Sequence, residues 1–360
     1  MEGFPRRRTA NLFWAAAVAL FLGACRGSAP ASDAMTPSRK LSPSATFDPP
    51  IVEDGARIRL LDEQIYGVDF SPDGKHLAVA GRSQVSVYAV VDFSPVFSRP
   101  TGLVPSCIGY SSDGKTIAYG TATGVVRLLD AHSGADLRTL TVENGGINTL
   151  AFSPDGTLLA AGLSNHAVVL WRMDGTDPPR ILAEHAFPVD SLSFSPDGSQ
   201  LASGSVAAPG LEEGVVVVLW DIPGGAVIRR MERQTSPVPL RPPVAVFFLP
   251  GGKHIAALSP DGRYIVWDSE SGEKARVLEL ELAGGADVFG LSGDARTIAA
   301  GAVSGDISLY DADDGERIRL TEGRTGLSAV ECVAFSPDGK TLASGTGQGR
   351  LTLWDLNWWR

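Results

Sequence analysis

The stretch Phe70-Ser71-Pro72-Asp73-Gly74 decides the fold, because it returns unchanged at 152–156, 194–198 and 335–339. Proline presets φ at the second turn position, aspartate caps the turn, and glycine accepts a left-handed conformation. Each copy therefore predicts a tight reversal between two short runs. Alternating apolar residues precede it, as in Gly67 to Phe70 and Thr149 to Phe152. A second run follows, such as TLLAAG at 157–162 or QLASGS at 200–205. A third is β-branched and ends in an aromatic: AVVLW at 167–171, VVVLW at 216–220, YIVW at 264–267, ISLY at 307–310, LTLW at 351–354. A fourth reads LRTL at 137–140, VIRRM at 227–231, RVLEL at 276–280 or RIRL at 317–320. Four short strands joined by turns predict one antiparallel meander. Beyond the N-terminal segment, no 11-residue window carries helical periodicity.

Aligning the turns on Asp73, Asp113, Asp155, Asp197, Gly251, Asp294 and Asp338 gives spacings of 40, 42, 42, 54, 43 and 44. These are seven units, one of them enlarged. A four-stranded sheet cannot bury both faces alone, but seven stacked radially cover one another. The pattern, with Trp-Asp at 220–221, 267–268 and 354–355, resembles the WD-repeat family over nearly everything after residue 56. Looser forms stand at Tyr310-Asp311, Leu129-Asp130, Trp171-Arg172 and Tyr88-Ala89. The resemblance implies an all-β, seven-bladed WD-repeat β-propeller.

The ends supply a separate expectation. The last unit has three strands, finishing in LTLWDL at Leu356. Residues 57–61, Arg-Ile-Arg-Leu-Leu, match the fourth-strand pattern of Arg317 to Leu320. They are expected to complete the blade containing 351–356, removing an open edge. Members of the family often place a Gly-His pair before the first strand. Here Glu184-His185 approximates it, so packing is expected to carry more of the stability elsewhere. Cys107 and Cys332 sit at equivalent positions in the second and seventh units, with the first unit between them. They are expected to be free, buried thiols rather than a disulfide.

The first 24 residues read as a signal peptide: Arg6, Arg7 and Arg8, an apolar run from Leu12 to Leu22, then Gly23 and Ala24. The run is too short to span a bilayer core. Leu22-Gly23-Ala24-Cys25 resembles the bacterial lipobox, which implies a lipid on Cys25 and export to the cell envelope. Arg26 after it weakly favours the outer membrane, by resemblance to bacterial lipoproteins. An ordinary signal peptide or an uncleaved membrane anchor remain alternatives. Residues 25–55, rich in Ser, Ala, Pro and Asp, read as a lipidated cysteine and flexible linker with a reach of roughly 30 Å. The propeller is then 56–360.

The net charge of −10 disfavours nucleic acid. Removing three arginines and one glutamate with residues 1–24 moves the charge from −10 to −12. The five histidines show no metal-ligand spacing, and no nucleophile elbow or phosphate loop appears. No catalytic residue, cofactor or metal is expected.

The enlarged unit carries the functional expectation. Its excess sits at Ser205–Gly214 (SVAAPGLEEG) and Glu232–Pro243 (ERQTSPVPLRPP). In an up-down meander these two connections emerge on one face, opposite the Ser-Pro-Asp-Gly turns. The bland reading is surface slack. The sharper one is a partner-binding ridge, because functional loops commonly sit on rigid scaffolds. Leu211, Val238 and Leu240 would supply apolar contacts, and Glu212, Glu213, Arg233 and Arg241 orientation. His185 and Phe187 come from a connection of the same class one blade earlier. The tail Trp358-Trp359 reads as a cover for the closing blade or a recognition patch. The expected function is a monomeric, non-catalytic scaffold holding an envelope protein or peptide. An enzyme of the lactonase or sugar-dehydrogenase propeller type, and a glycan or small-molecule sensing module, are the alternatives.

Overall fold

The four Ser-Pro-Asp-Gly reversals fold as their chemistry dictates. In the first, Ser71 Oγ donates to Asp73 Oδ1 at 2.7 Å, the Lys75 amide donates to the same oxygen at 3.1 Å, and Gly74 takes φ +70°. The serine–aspartate bond recurs at 2.6–2.7 Å in five further units. These serine donors hold the carboxyls of Asp73, Asp113, Asp155, Asp197, Asp294 and Asp338 below the usual carboxylate range. An additional copy, Ser259-Pro260-Asp261-Gly262, joins the second and third strands of its unit and so lies on the opposite face.

The structure, a computed structural model, describes residues 51–53, 56–175, 177–183, 185–205, 215–232, 245–282, 285–321 and 328–359. Among them the strands form seven antiparallel sheets. Blade 1 comprises Ile65–Phe70, His76–Gly81, Gln84–Ala89 and Pro95–Pro100. Blade 2 comprises Pro105–Tyr110, Thr116–Thr121, Val125–Asp130 and Asp136–Thr141. Blade 3 comprises Ile147–Phe152, Leu158–Leu163, Ala167–Arg172 and Arg180–Ala183. Blade 4 comprises Val189–Phe194, Gln200–Ser205, Val215–Asp221 and Val227–Glu232. Blade 5 comprises Ala245–Phe248, His254–Leu258, Arg263–Asp268 and Lys274–Glu279. Blade 6 comprises Ala286–Leu291, Thr297–Ala302, Ile307–Asp311 and Arg317–Thr321.

Blade 7 contains Val330–Phe335, Thr341–Thr346 and Arg350–Asp355, and its fourth strand is Ala56–Leu60 from the other end of the chain. The register runs from Ala56 opposite Trp354 to Leu60 opposite Arg350, so the expected closure forms with the strand one residue earlier than 57–61. The sheet also extends further than the linker reading of 25–55 allowed. Ile51–Glu53 adds a fifth, outermost strand on Ala56–Ile58. Ile58 is 2% exposed, whereas Ile181 and Val277, at the same register position in blades 3 and 5, are 65% and 51% exposed.

Each first strand lies against the first strand of the next blade all the way round, blade 7 closing on blade 1. These strands line the central channel, and the fourth strands are outermost except in blade 7, where Ile51–Glu53 lies beyond. The inner strands present open edges, which side chains of the preceding blade cap. Asp69 accepts from the Tyr110 amide at 2.7 Å, and Ser191 and Ser193 accept from the Val246 and Phe248 amides at 2.9 Å. Apolar clusters fill the space between neighbouring blades, as where Ala78 and Val87 of blade 1 meet Tyr110, Ile117 and Leu129 of blade 2.

Cys107 and Cys332 are free thiols; Cys332 is buried and Cys107 half-buried. Burial pushes both up to about 12, so they remain protonated and unreactive at neutral pH. The chain ends in a 3-10 turn, Leu356–Trp359. The side chains of Trp358 and Trp359 lie outside the described residues.

Candidate functional site

The end of the ring opposite the turns between first and second strands carries the connections from second to third strand and from fourth to next first strand. Both insertions of blade 4 leave from it. Leu211, Glu212, Glu213, Arg233, Val238, Leu240 and Arg241 lie outside the described residues, as does Cys25. The strands that bound the insertions, ending at Ser205 and beginning at Val215 on one side, and ending at Glu232 and beginning at Ala245 on the other, fix their roots.

His185 and Phe187 are described, and their environments differ. His185 is 8% exposed, with Nδ1 2.8 Å from Ser205 Oγ and Nε2 2.6 Å from Ser203 Oγ. Trp220 Nε1 donates to the same Ser203 hydroxyl at 2.7 Å. Both ring nitrogens therefore serve the interior of blade 4. The histidine does not present its polar atoms to a partner, but it anchors Ser205, the residue from which the first insertion departs. Phe187 is half-buried, and its ring centroid stands 6.4 Å from that of His166 on the same face.

The histidine network is local to this blade. Blade 7 keeps a shorter version, with Trp354 Nε1 donating to Ser344 Oγ at 3.0 Å. In blades 3 and 5 alanines, Ala161 and Ala257, hold the register position of Ser203, yet Trp171 and Trp267 are still 3% and 2% exposed. Truncating a buried tryptophan typically costs about 3–5 kcal/mol, and a neutral hydrogen bond nets about 1. Packing thus dominates there, as the sequence predicts.

A second feature of this face went unread in the sequence. The residue four before each turn aromatic sits at the bulge of its first strand, at the same level of the channel. In blades 1–4 it is Tyr66, Ser106, Asn148 and Asp190, and in blades 6 and 7 Asp287 and Glu331. All six are half-buried. Neighbours bond across blades: Asn148 Nδ2 donates to Asp190 Oδ1 at 2.9 Å, and Ser106 Oγ donates to the Ile147 carbonyl. Burial raises Asp190 to about 6, partly opposed by the Asn148 bond. Burial likewise raises Glu331, Gln64 opposes this, and the Asp287 charge adds to it. The mouth is therefore polar and net acidic. It suits hydrogen-bonding or cationic groups, and among the described residues no set of side chains is placed to hold a metal. The signal was present in the sequence as a fixed offset from each turn, but its residue types vary from blade to blade.

Comparison with known proteins agrees with this architecture. The model of the WD domain, G-beta repeat, matches residues 56–88, 134–172, 176–206 and 317–355. Three of these matches begin at or near a fourth strand and end in or near the third strand of the next blade, so the repeat straddles blades as the closure does. The chain is 34% identical to meiotic recombination protein rec14 of Schizosaccharomyces pombe over 111 residues, 30% of this chain and 34% of that one. It is 30% identical to WD repeat-containing protein SL1-17 of Schistosoma mansoni over 142 residues, 39% and 44% of the two chains. It is 30% identical to serine-threonine kinase receptor-associated protein of Dictyostelium discoideum over 105 residues, 27% and 34%. The chain thus spans between a third and under half of the length of these curated relatives. Repeats, ladders and closure lead to one conclusion: the chain folds as a seven-bladed β-propeller closed by its own N-terminal strand, and four of its segments match the WD40 repeat.

Proposed function

We propose that the protein is a non-catalytic scaffold that holds a protein or peptide partner on the face bearing the acidic channel mouth and the two insertions of blade 4. The observation that carries this reading is the convergence of both insertion roots and the polar ring at one end of a closed ring. His185 stiffens one of those roots from inside the blade. Rigid scaffolds with elaborated loops favour recognition over chemistry. One relative is named for association with a receptor, which is in keeping with such a role. The net charge of −10 argues against nucleic acid as the partner.

The same proposal places the scaffold in a bacterial envelope. The basic start, the apolar run and Leu22-Gly23-Ala24-Cys25 support lipidation at Cys25, with residues after it serving as tether. A monomer on the outer membrane is the form this reading favours. Cys25→Ser is expected to abolish acylation, read by intact mass and by loss from the membrane fraction.

The decisive experiment is affinity capture from membranes, comparing the native chain with one whose residues 206–214 are replaced by a short turn. Ser205 is retained so that its bond to His185 survives. Loss of captured partners is expected. An unchanged set of partners would contradict the assignment of this face.

A further inference from the structure

Asn144-Gly145 lies in the connection from the fourth strand of blade 2 to the first strand of blade 3, on the face that bears the channel mouth. It is the one place in the chain where an asparagine precedes a glycine; Asn11, Asn148, Asn165 and Asn357 precede Leu12, Thr149, His166 and Trp358. With no side chain beside it, a glycine amide is the backbone nitrogen least hindered from reaching the side-chain carbonyl carbon before it. Asn144 is exposed and takes φ +58°. The Gly145 amide donates to no group among the described residues. Aspartate–glycine pairs in the hairpin turns are built differently. At 71–74, 153–156, 195–198 and 336–339 the glycine amide donates to the serine carbonyl at 2.8–2.9 Å, and the serine hydroxyl holds the carboxylate. There the nitrogen and the carboxyl are both engaged.

We infer that Asn144 is a site of spontaneous deamidation. The Gly145 nitrogen gives its proton to hydroxide and attacks Asn144 Cγ. The N–Cγ bond forms, the Cγ–Nδ2 bond breaks, and the amide leaves as ammonia, taking a proton from water. Water then opens the succinimide at either carbonyl, giving aspartate or isoaspartate. The net change consumes water and releases ammonia, with no oxidant or reductant. Asn165 assists: its Nδ2 donates to the Asn144 backbone carbonyl, which draws electron density from the Gly145 N–H and makes it more acidic.

The product matters to this face. Either form adds a negative charge, and isoaspartate also adds a carbon to the backbone. The loop has no slack for it: the Gly146 amide donates to Ser164 Oγ at 2.8 Å, and a Cβ on Gly146 would stand 2.6 Å from the Ala122 carbonyl oxygen. Isoaspartate therefore pushes 142–146 away from 164–165, on the side of the ring assigned to the partner. The conversion itself does not depend on that assignment.

The test incubates the full chain, in detergent, in warm, mildly alkaline buffer, and maps its peptides by mass with fragmentation that separates aspartate from isoaspartate. Asn144 is expected to convert to both, while Asn148 and Asn165 stay intact. Asn144→Gln, which would have to close a larger ring, is expected to remove the product. Conversion in the folded chain is expected to match that of the chain unfolded in urea. A loop that first had to open at a cost of about 1.4 kcal/mol would convert about tenfold more slowly when folded. Such protection, no conversion at Asn144, or conversion spread evenly over the asparagines overturns the inference.

Discussion

Arg57 Nη1 donates to the carbonyl of Val90 at 2.5 Å, although Arg57 belongs to the strand that completes blade 7 and Val90 to blade 1. The same guanidinium stands 6.0 Å from the centroid of the Phe93 ring. This reach recurs around the ring. Arg99 bonds Gly134 O at 2.6 Å, Arg138 bonds Arg172 O at 3.3 Å and Arg180 bonds Ile222 O at 2.6 Å. Arg229 bonds Glu270 O, and Arg276 bonds Ala312 O at 2.7 Å. In each case an outer-strand arginine clasps a carbonyl at or just past the end of the next blade's third strand. A planar fork of donors on a long stem suits this task better than a lysine.

Arg57→Ala is therefore expected to destabilise the closed ring by about 1–2 kcal/mol, below the ~1.5–3 of a fully buried charged bond because the side chain is half-exposed. Arg57→Lys should recover only part of it. Chemical denaturation midpoints measure both, and an Arg57→Ala chain as stable as the native one would show that the clasp is ornamental.

His185→Ala leaves the Ser203 and Ser205 hydroxyls of blade 4 short of a buried partner. A loss of about 2 kcal/mol is expected, against near zero for the half-exposed His76→Ala. Because Ser205 roots the first insertion, limited proteolysis within 206–214 should also accelerate. An unchanged cleavage rate would separate the histidine from the loop it is said to hold.

Burial raises the Asp69 carboxyl to about 7, opposed by its bonds from the Tyr110 and Phe70 amides. Between about pH 4 and pH 7 the folded protein holds this proton more tightly than the unfolded chain. Its contribution is full below the unfolded value and is lost as pH rises through about 7. An asparagine at this position cannot titrate but still offers an oxygen to the Tyr110 amide. Asp69→Asn is expected to match the native chain near pH 4 and to exceed it by about 1–3 kcal/mol at pH 8. Parallel stability curves across that range would contradict the burial argument.

The seven-fold repeat was legible because turn chemistry is local: Ser71, Asp73 and Gly74 bond within their own six residues. Closure was legible because Arg57 to Leu60 repeats the pattern of an outer strand. The fifth strand at Ile51–Glu53 was not, since three residues beside a proline-rich stretch carry no period. The role of His185 was half visible. Its place before a first strand matched the family pattern, but its bonds to Ser203 and Ser205 depend on a pairing 18 to 20 residues away. The acidic mouth was hidden for a different reason. Asp190, Asp287 and Glu331 are far apart in sequence, and only the ring brings their level together.

Every face assignment rests on the N-terminal strand pairing with the last one. Leu60 and Arg350 are register partners at the edge of that pairing, with Leu60 64% exposed. In a Leu60→Cys, Arg350→Cys chain under mild oxidation, peptide mass mapping should find an intramolecular bridge between the two positions in nearly all molecules. Thiols that stay free, or that pair only between chains, would mean that the ring does not close through these strands.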